Sequence, residues 1–433
     1  MLDWFYRLPI FTGVSGSVFR GMATLSGGVL GGRVIGLVAI PILTRIYEPA
    51  DFGALSVFTA LIMLLSPFVS LRYPVAIPLP RRDRLAFSLV ALSFLLVLGN
   101  GLIVSVLMWM FAPIILSALS MEVLIPYWYV IVIGLVASTI FEILSAWSTR
   151  RKDYGPLARA SVYQSFSGSA IKVSLGVLIA GPIGLLLGQI VSFSGGCGML
   201  LSRYATEFRG ISGKLRMGKA ARLYRGFALH RLPAEALLAG SLQLPVILVA
   251  GRYSAALAGQ YGLAISMIAV PSTLIVRSLS KAFYAEIASI GLKRIGEIKA
   301  ITIATIKRLL LVGIPIAAMM WLVGQEASVL LFGSKWAEAG RFVELLSLVL
   351  FSSLVAAPIM RLLDLLREQK LLLAINGFRL CIVLAVFGYL PSLNYTLFDV
   401  VFVYSSAMLC LHACSGWLVL HRLNVNAEER RVA

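Results

Sequence analysis

Charge is scarce in this chain. Asp, Glu, Lys and Arg make up only 13% of its 433 residues, about half the share of an ordinary soluble domain. Acids are the scarcer sign: 19 Asp and Glu stand against 38 Lys and Arg, for a net charge of +19 at neutral pH. The three histidines, His230, His412 and His421, are too far apart in sequence for metal-ligand spacing. The four cysteines, Cys197, Cys381, Cys410 and Cys414, all fall inside apolar runs. They read as inert core residues rather than a disulfide framework. No Gly-rich loop ends in Lys and Ser/Thr to cradle phosphates. The acids outside the apolar runs on the less basic side (Glu48, Asp51, Glu122, Glu326, Glu338, Asp399) are scattered on short loops, without the pairing that acid–base catalysis needs. These gaps argue against ATP hydrolysis and glycan-cleaving chemistry. No enzymatic activity, metal or cofactor is expected.

Apolar sequence fills the space that charge leaves. The chain is 59% hydrophobic with a mean hydropathy of +0.93. Runs of about 20 apolar residues, each long enough for a hydrocarbon core roughly 30 Å thick, recur throughout. Twelve spans are read near 25–44, 52–71, 85–110, 124–147, 160–180, 183–202, 234–251, 259–276, 305–324, 342–360, 371–390 and 399–420. The expected fold class is all-α, a polytopic membrane protein. With both termini on one side, that side's segments carry nearly all the Lys and Arg. The opposite loops carry Arg45, Arg252, Lys335 and Arg341, and Arg33 and Lys172 lie inside spans. That asymmetry places the basic side, with both termini, in the cytoplasm. The excess charge is thus a topology signal, with contact to membrane lipid headgroups as a second use. No nucleic-acid partner is expected.

The longest basic connection, residues 203–233, divides the spans six and six. The segments expected are an interfacial N-terminus (1–20, with Trp4, Phe5 and Tyr6 beside Arg7), a first lobe (21–202), a cytoplasmic linker (203–233), a second lobe (234–420) and a tail (421–433). A faint repeat relates the halves: "PILTRIYEPADFG" from Pro41 and "PVILVAGRYSAALAG" from Pro245 each hold Arg, an aromatic and Gly before a second proline, Pro67 or Pro271. Residues 214–231 mix basic and apolar positions like an interfacial amphipathic helix, and 280–308 reads similarly.

The polar groups inside the spans are the candidate site. Arg33 lies roughly 13 Å from the nearer end of its helix, where insertion costs about 2.5–3.5 kcal/mol. Gly27, Gly28, Gly31, Gly32 and Gly36 around it permit close helix approach. Arg33 either faces substrate in a cavity or fixes packing. In the fifth span Ser161, Ser165, Ser169 and Lys172 share one helical face with Gly168, which serves either as a wet cavity wall or as small-residue packing. Glu142, with Ser138 and Ser145 on its face, is a counter-ion for Arg33 or Lys172, or else a protonatable coupling group. The later spans offer mainly neutral groups (Gln243, Asn376, His412), and Glu344 is expected to pair locally with Arg341.

The stretch "PILTRIYEPADFGALSVFTALIMLLSPFVSLRYPVAIPLPRRDRLA" (41–86) resembles the start of the Wzx-type polysaccharide flippases. These are oligosaccharidyl-lipid members of the multidrug/oligosaccharide/polysaccharide exporter superfamily. "WSTRRKDYGPLARA" (147–160), "GLLLGQIVSF" (184–193), "LPVILVAGRYSAALAGQYGLA" (244–264) and "LFGSKWAEAGRF" (331–342) extend the resemblance in order. It implies twelve transmembrane helices in two six-helix lobes around a central cavity, alternating access, and an undecaprenyl-pyrophosphate-linked glycan as cargo in a bacterial cytoplasmic membrane. It admits polysaccharide polymerase and chain-length proteins as partners. Arg33 and Lys172 fit its pattern of cavity cations. At Ile265 and Ser266, by contrast, this chain lacks the basic residue that many relatives carry early in the eighth span. The alternatives are an ion-coupled drug/cation antiporter of the same superfamily, which wants buried acids, and a membrane glycan ligase or polymerase, which wants a sizeable catalytic outer loop.

Overall fold

In hydrocarbon every backbone N–H and C=O must be paired within the protein, and a helix does this within a single segment. The computed structural model describes residues 13–179, 181–211, 215–272, 277–290, 294–366 and 368–432. Among them every regular element is helical. The expected N-terminal anchor around Trp4–Arg7 lies outside these residues. Ten helical stretches are long and apolar enough to cross a membrane. The two remaining expected spans also fall on helices. One, Tyr154–Leu178, is long but carries Gln164, Lys172 and a run of serines, and the other has a shorter apolar stretch, Ala255–Ala269. The chain forms two compact units, Met1–Ala239 and Gly240–Ala433.

The first unit contains α1 (Gly13–Ile46), α2 (Pro49–Ser70), α3 (Asp83–Ala118), α4 (Trp128–Arg150), α5 (Tyr154–Leu178), α6 (Ile183–Ser194), α7 (Cys197–Ile211) and α8 (Met217–Leu223), and it takes in the start of α9 (Leu232–Arg252). Local sequence sets several boundaries. Glu48 caps α2 in a capping box with Asp51, and Pro49 supplies the fixed φ of a first helical residue. The sixth expected span is broken at Gly195–Gly196, where Gly196 lets α5 come so near that an added Cβ would lie 2.7 Å from that of Ala160. The basic linker is not one continuous amphipathic helix. Within it α8 is short and packs on α3 through buried Ala220, with Arg216 N–H donating to Ser88 Oγ at 3.2 Å and Tyr73 donating to the Ala221 carbonyl at 3.2 Å. A π-helical turn over Phe227–Arg231 then leads into α9. The linker therefore docks on the first unit.

The second unit holds most of α9, then α10 (Ala255–Pro271), α11 (Arg277–Ile290), α12 (Ile295–Phe332), α13 (Ala337–Leu366), α14 (Gln369–Val383) and α15 (Leu397–Val432). The α12–α13 hairpin turns at Gly333, whose φ of 99° suits glycine. It closes tightly because an added Cβ on Gly340 would lie 2.8 Å from that of Ser328. Glu344 accepts the Gln325 N–H at 2.9 Å, while Arg341 lies over the Phe398 ring at 4.2 Å, so the expected Arg341–Glu344 pair is replaced by two contacts between elements. An aromatic seam runs from Tyr261 through Phe342 to Phe398 and from Tyr261 through Phe387 to Tyr404. α11, expected to be interfacial, instead sends Phe283 and Ile287 into a core with Ile298, Ile359 and Leu362. Cys381, Cys410 and Cys414 lie on exposed helix faces and Cys197 is half-buried. They are not core residues; an apolar surround tolerates them at the surface.

The first turn of each repeat ends on the same device. Tyr47, between α1 and α2, donates to the Lys172 carbonyl at 2.8 Å, and Tyr253, between α9 and α10, donates to the Tyr395 carbonyl at 2.9 Å. The faint sequence echo is thus matched by two tyrosines tying turns to distant backbone.

Candidate functional site

The first unit's polar interior is built on close packing between α1, α5 and α6. An added Cβ on Gly28 would lie 2.6 Å from that of Ala158, and one on Gly32 would lie 2.8 Å from Ser165 Oγ and 2.9 Å from the Ser161 carbonyl. Ser161 donates back to the Leu157 carbonyl at 3.0 Å. Ser161 and Ser165 therefore stand against the glycine face of α1, while Gly27 and Gly36 meet nothing. Arg33 follows Gly32 directly and is half-buried on the flank of this seam.

Lys172 sits further along α5, seven residues or about 10 Å beyond Ser165. Its Nζ donates to Gln189 Oε1 on α6 at 2.6 Å, and among the described residues it forms no ion pair. Its backbone is held by Tyr47, whose ring fills a slot bounded by Gly176 of α5 and Gly184 of α6. Burial, reinforced by Asp51, pushes the Tyr47 phenol up to about 12, so it remains a donor at any physiological pH. Ser169 is half-buried on α5 between the two levels.

Glu142 is held by a cation that neither expectation named. Arg72 reaches it from the α2–α3 connection with an Nη1–Oε1 distance of 2.7 Å, and the same guanidinium pairs with Glu235 at the start of α9. Arg231 also binds Glu235, at 2.8 Å. Arg72 is aimed by two successive left-handed residues, with φ of 47° at Leu71 and 59° at Arg72, which turn the chain back on α4. Reading Arg72 as a loop cation hid this, because nothing in a linear span count reports where a left-handed turn aims a side chain.

The quoted stretch at 147–160 has a structural use of its own. Arg150 and Arg151 both reach Asp83, Arg151 also pairs with Glu207 and lies over Trp147, and Arg203 pairs with Asp153. This lattice ties the ends of α3, α4, α5 and α7 around a small polar cavity of about 350 Å³.

In the second unit Arg379, within the expected span 371–390, lies inside α14 and is half-buried. Its Nη2 is 2.9 Å from His412 Nε2, and His412 Nδ1 is 2.8 Å from Ser352 Oγ. An Arg as the ninth residue of the run "LLLAINGFRLCIVLAVF" is a signal that the choice of Arg33 and Lys172 as the in-span cations passed over.

The sequence pattern of the polysaccharide biosynthesis protein family matches residues 42–341. The chain belongs to that family. Among solved structures, this polysaccharide biosynthesis protein is similar to an inward-facing multidrug resistance MATE transporter of the MOP superfamily, at TM-score 0.65 and 13% identity over 94% of this chain and 95% of that one. It is equally similar in fold to the lipid II flippase MurJ in an inward closed conformation, at TM-score 0.65 and 13% identity over 93% and 87%. A MOP transporter from Pyrococcus furiosus, described as having a binding pocket of reverse polarity, gives TM-score 0.52 and 13% identity over 94% and 96%. No curated protein matches the sequence. The chain is thus a multi-pass membrane protein with the fold of the MATE and MOP transporters.

Proposed function

We propose that this polysaccharide biosynthesis protein is an alternating-access transporter whose cargo is an undecaprenyl-pyrophosphate-linked oligosaccharide, moved from the inner to the outer leaflet of a bacterial cytoplasmic membrane. The observation that carries this reading is the sign of the first unit's interior. Glu142 is occupied by Arg72, while Lys172 faces the neutral amide of Gln189. A pyrophosphate cannot enter hydrocarbon uncompensated, and a waiting cation replaces part of its hydration. Arg33 and Lys172 are the residues proposed to hold it, with Ser161, Ser165 and Ser169 as the polar face beside them. The basic loops and both termini are assigned to the cytoplasm, and polymerase and chain-length proteins are the natural partners of such a step.

The solved structures taken alone favour the ion-coupled drug antiporter, because several of them are MATE transporters. Flipping of a lipid-linked glycan by the purified protein in liposomes separates the two. Under the proposal Arg33→Ala and Lys172→Ala, inserted at normal levels, each slow flipping tenfold or more. Full activity of both variants, or proton-driven drug efflux without glycan flipping, sinks it.

A further inference from the structure

Arg379 is a guanidinium within an apolar helix, and among the described residues no carboxylate pairs with it. Among the described residues its side chain meets a histidine, and its Nε is buried without a hydrogen-bond partner. An uncompensated cation at such a depth is costly unless it meets a ligand or a counter-charge.

The hydrogen-bond chain fixes the state of that histidine. A guanidinium only donates, so His412 Nε2 presents its lone pair to Arg379. Ser352 donates its own proton to the Val349 carbonyl at 3.1 Å, which leaves Ser352 Oγ to accept from His412 Nδ1–H. His412 is therefore the neutral Nδ1–H tautomer, and its only basic site is covered by Arg379. The charged group acting on His412 is Arg379, and Tyr404, on α15 with His412, acts in turn on Arg379. α13 contributes the hydroxyl of Ser352. Ser352 and His412 are both buried.

We infer that Arg379 is an anion-binding site of the second unit for a phosphoryl or pyrophosphoryl group, and that His412 takes up a proton when the anion binds. The step is a change of partner. The anion accepts the guanidinium N–H that His412 accepted before. The freed Nε2 lone pair then binds one proton from the medium, giving an imidazolium, a second positive charge beside Arg379 that the anion offsets. Linkage makes this reciprocal: the proton favours the anion as much as the anion favours the proton. The site would also supply the second-unit cation that Ile265 and Ser266 do not. The identity of the anion rests on the proposed cargo; the coupling does not, and it would serve an ion-coupled antiporter equally.

Three histidines make the test direct. The protein, labelled with ¹⁵N-histidine in detergent micelles at neutral pH, is titrated with inorganic pyrophosphate, and the His412 resonances are assigned by their loss in His412→Gln. The glutamine can accept from Arg379 and donate to Ser352, so this variant keeps the chain of bonds but cannot take the proton. The expected result is a neutral Nδ1–H imidazole that becomes doubly protonated as pyrophosphate saturates. In Arg379→Gln no such change occurs, and in His412→Gln pyrophosphate binds without the pH dependence of the wild type. A His412 signal that stays neutral at saturating pyrophosphate overturns the inference, as does a response in Arg379→Gln equal to the wild type. No lipid-linked substrate enters the experiment, so its failure leaves the flipping assay to judge the cargo separately.

Discussion

Replacing Arg72 with methionine is expected to destabilise the first unit by about 3 kcal/mol, the scale seen when one member of a mostly buried ion pair is removed. Methionine keeps much of the apolar stem and isolates the loss of charge. What remains is two carboxylates, Glu142 and Glu235, with Arg231 left as the recorded partner of the second only. Glu142 then lies on α4 without its cation. The measurement is unfolding of the purified protein in micelles, followed by helix signal against denaturant. The companion variant decides the cause. Adding Glu142→Gln and Glu235→Gln to Arg72→Met removes the stranded charges and is expected to recover most of the loss. If Arg72→Met unfolds like the wild type, or the triple variant is as weak as the single one, the ion pairs are not what holds α4 to the start of α9.

Tyr47→Ala is expected to cost about 3–5 kcal/mol, the range for deleting a large buried side chain whose cavity cannot collapse. Collapse is blocked because the slot walls are Gly176 and Gly184, which have no side chains to relax into the space. Tyr47→Phe keeps the ring and forfeits only the bond to the Lys172 carbonyl, about 1 kcal/mol. The two variants thus separate ring from hydroxyl in one denaturation series. Equal losses in both would place the stabilisation in the hydroxyl and contradict the slot. Because the same bond holds the backbone of Lys172, Tyr47→Phe is also expected to weaken any anion contact of that lysine while leaving the fold standing.

Much of the fold was legible because it depends on long-period quantities. Apolar runs of helical length and the glycines flanking Arg33 are properties of consecutive residues, and helices stand at all twelve expected places, although α5 and α10 fall short of the apolarity or length that marks the other ten. Gly28 and Gly32 do bring α1 against α5. The polar interior was less legible, since a side chain's partner depends on the turn that aims it. Glu142 looked available to Arg33 or Lys172, yet two left-handed residues deliver Arg72 to it. Arg379 sits inside the expected span 371–390, yet nothing in the sequence reports that His412 and Ser352 line up with it. The linker's docking was hidden for a related reason: Ala220 and the Arg216 N–H are anchors with no apolar or ionic signature in sequence.

The seams of the two units are made of opposite materials, and this predicts opposite tolerances to change. Where α1, α5 and α6 meet, backbone lies nearly against backbone through Gly28, Gly32, Gly168 and Gly188. That seam has no spare volume, so accepted substitutions there stay small and any gain in size is selected against. Along Tyr261, Phe342, Phe387 and Phe398 the space is filled by rings, so shrinkage is the harmful direction and exchange among large residues is borne. Drift is thus capped from above at the glycine seam and bounded from below at the aromatic one.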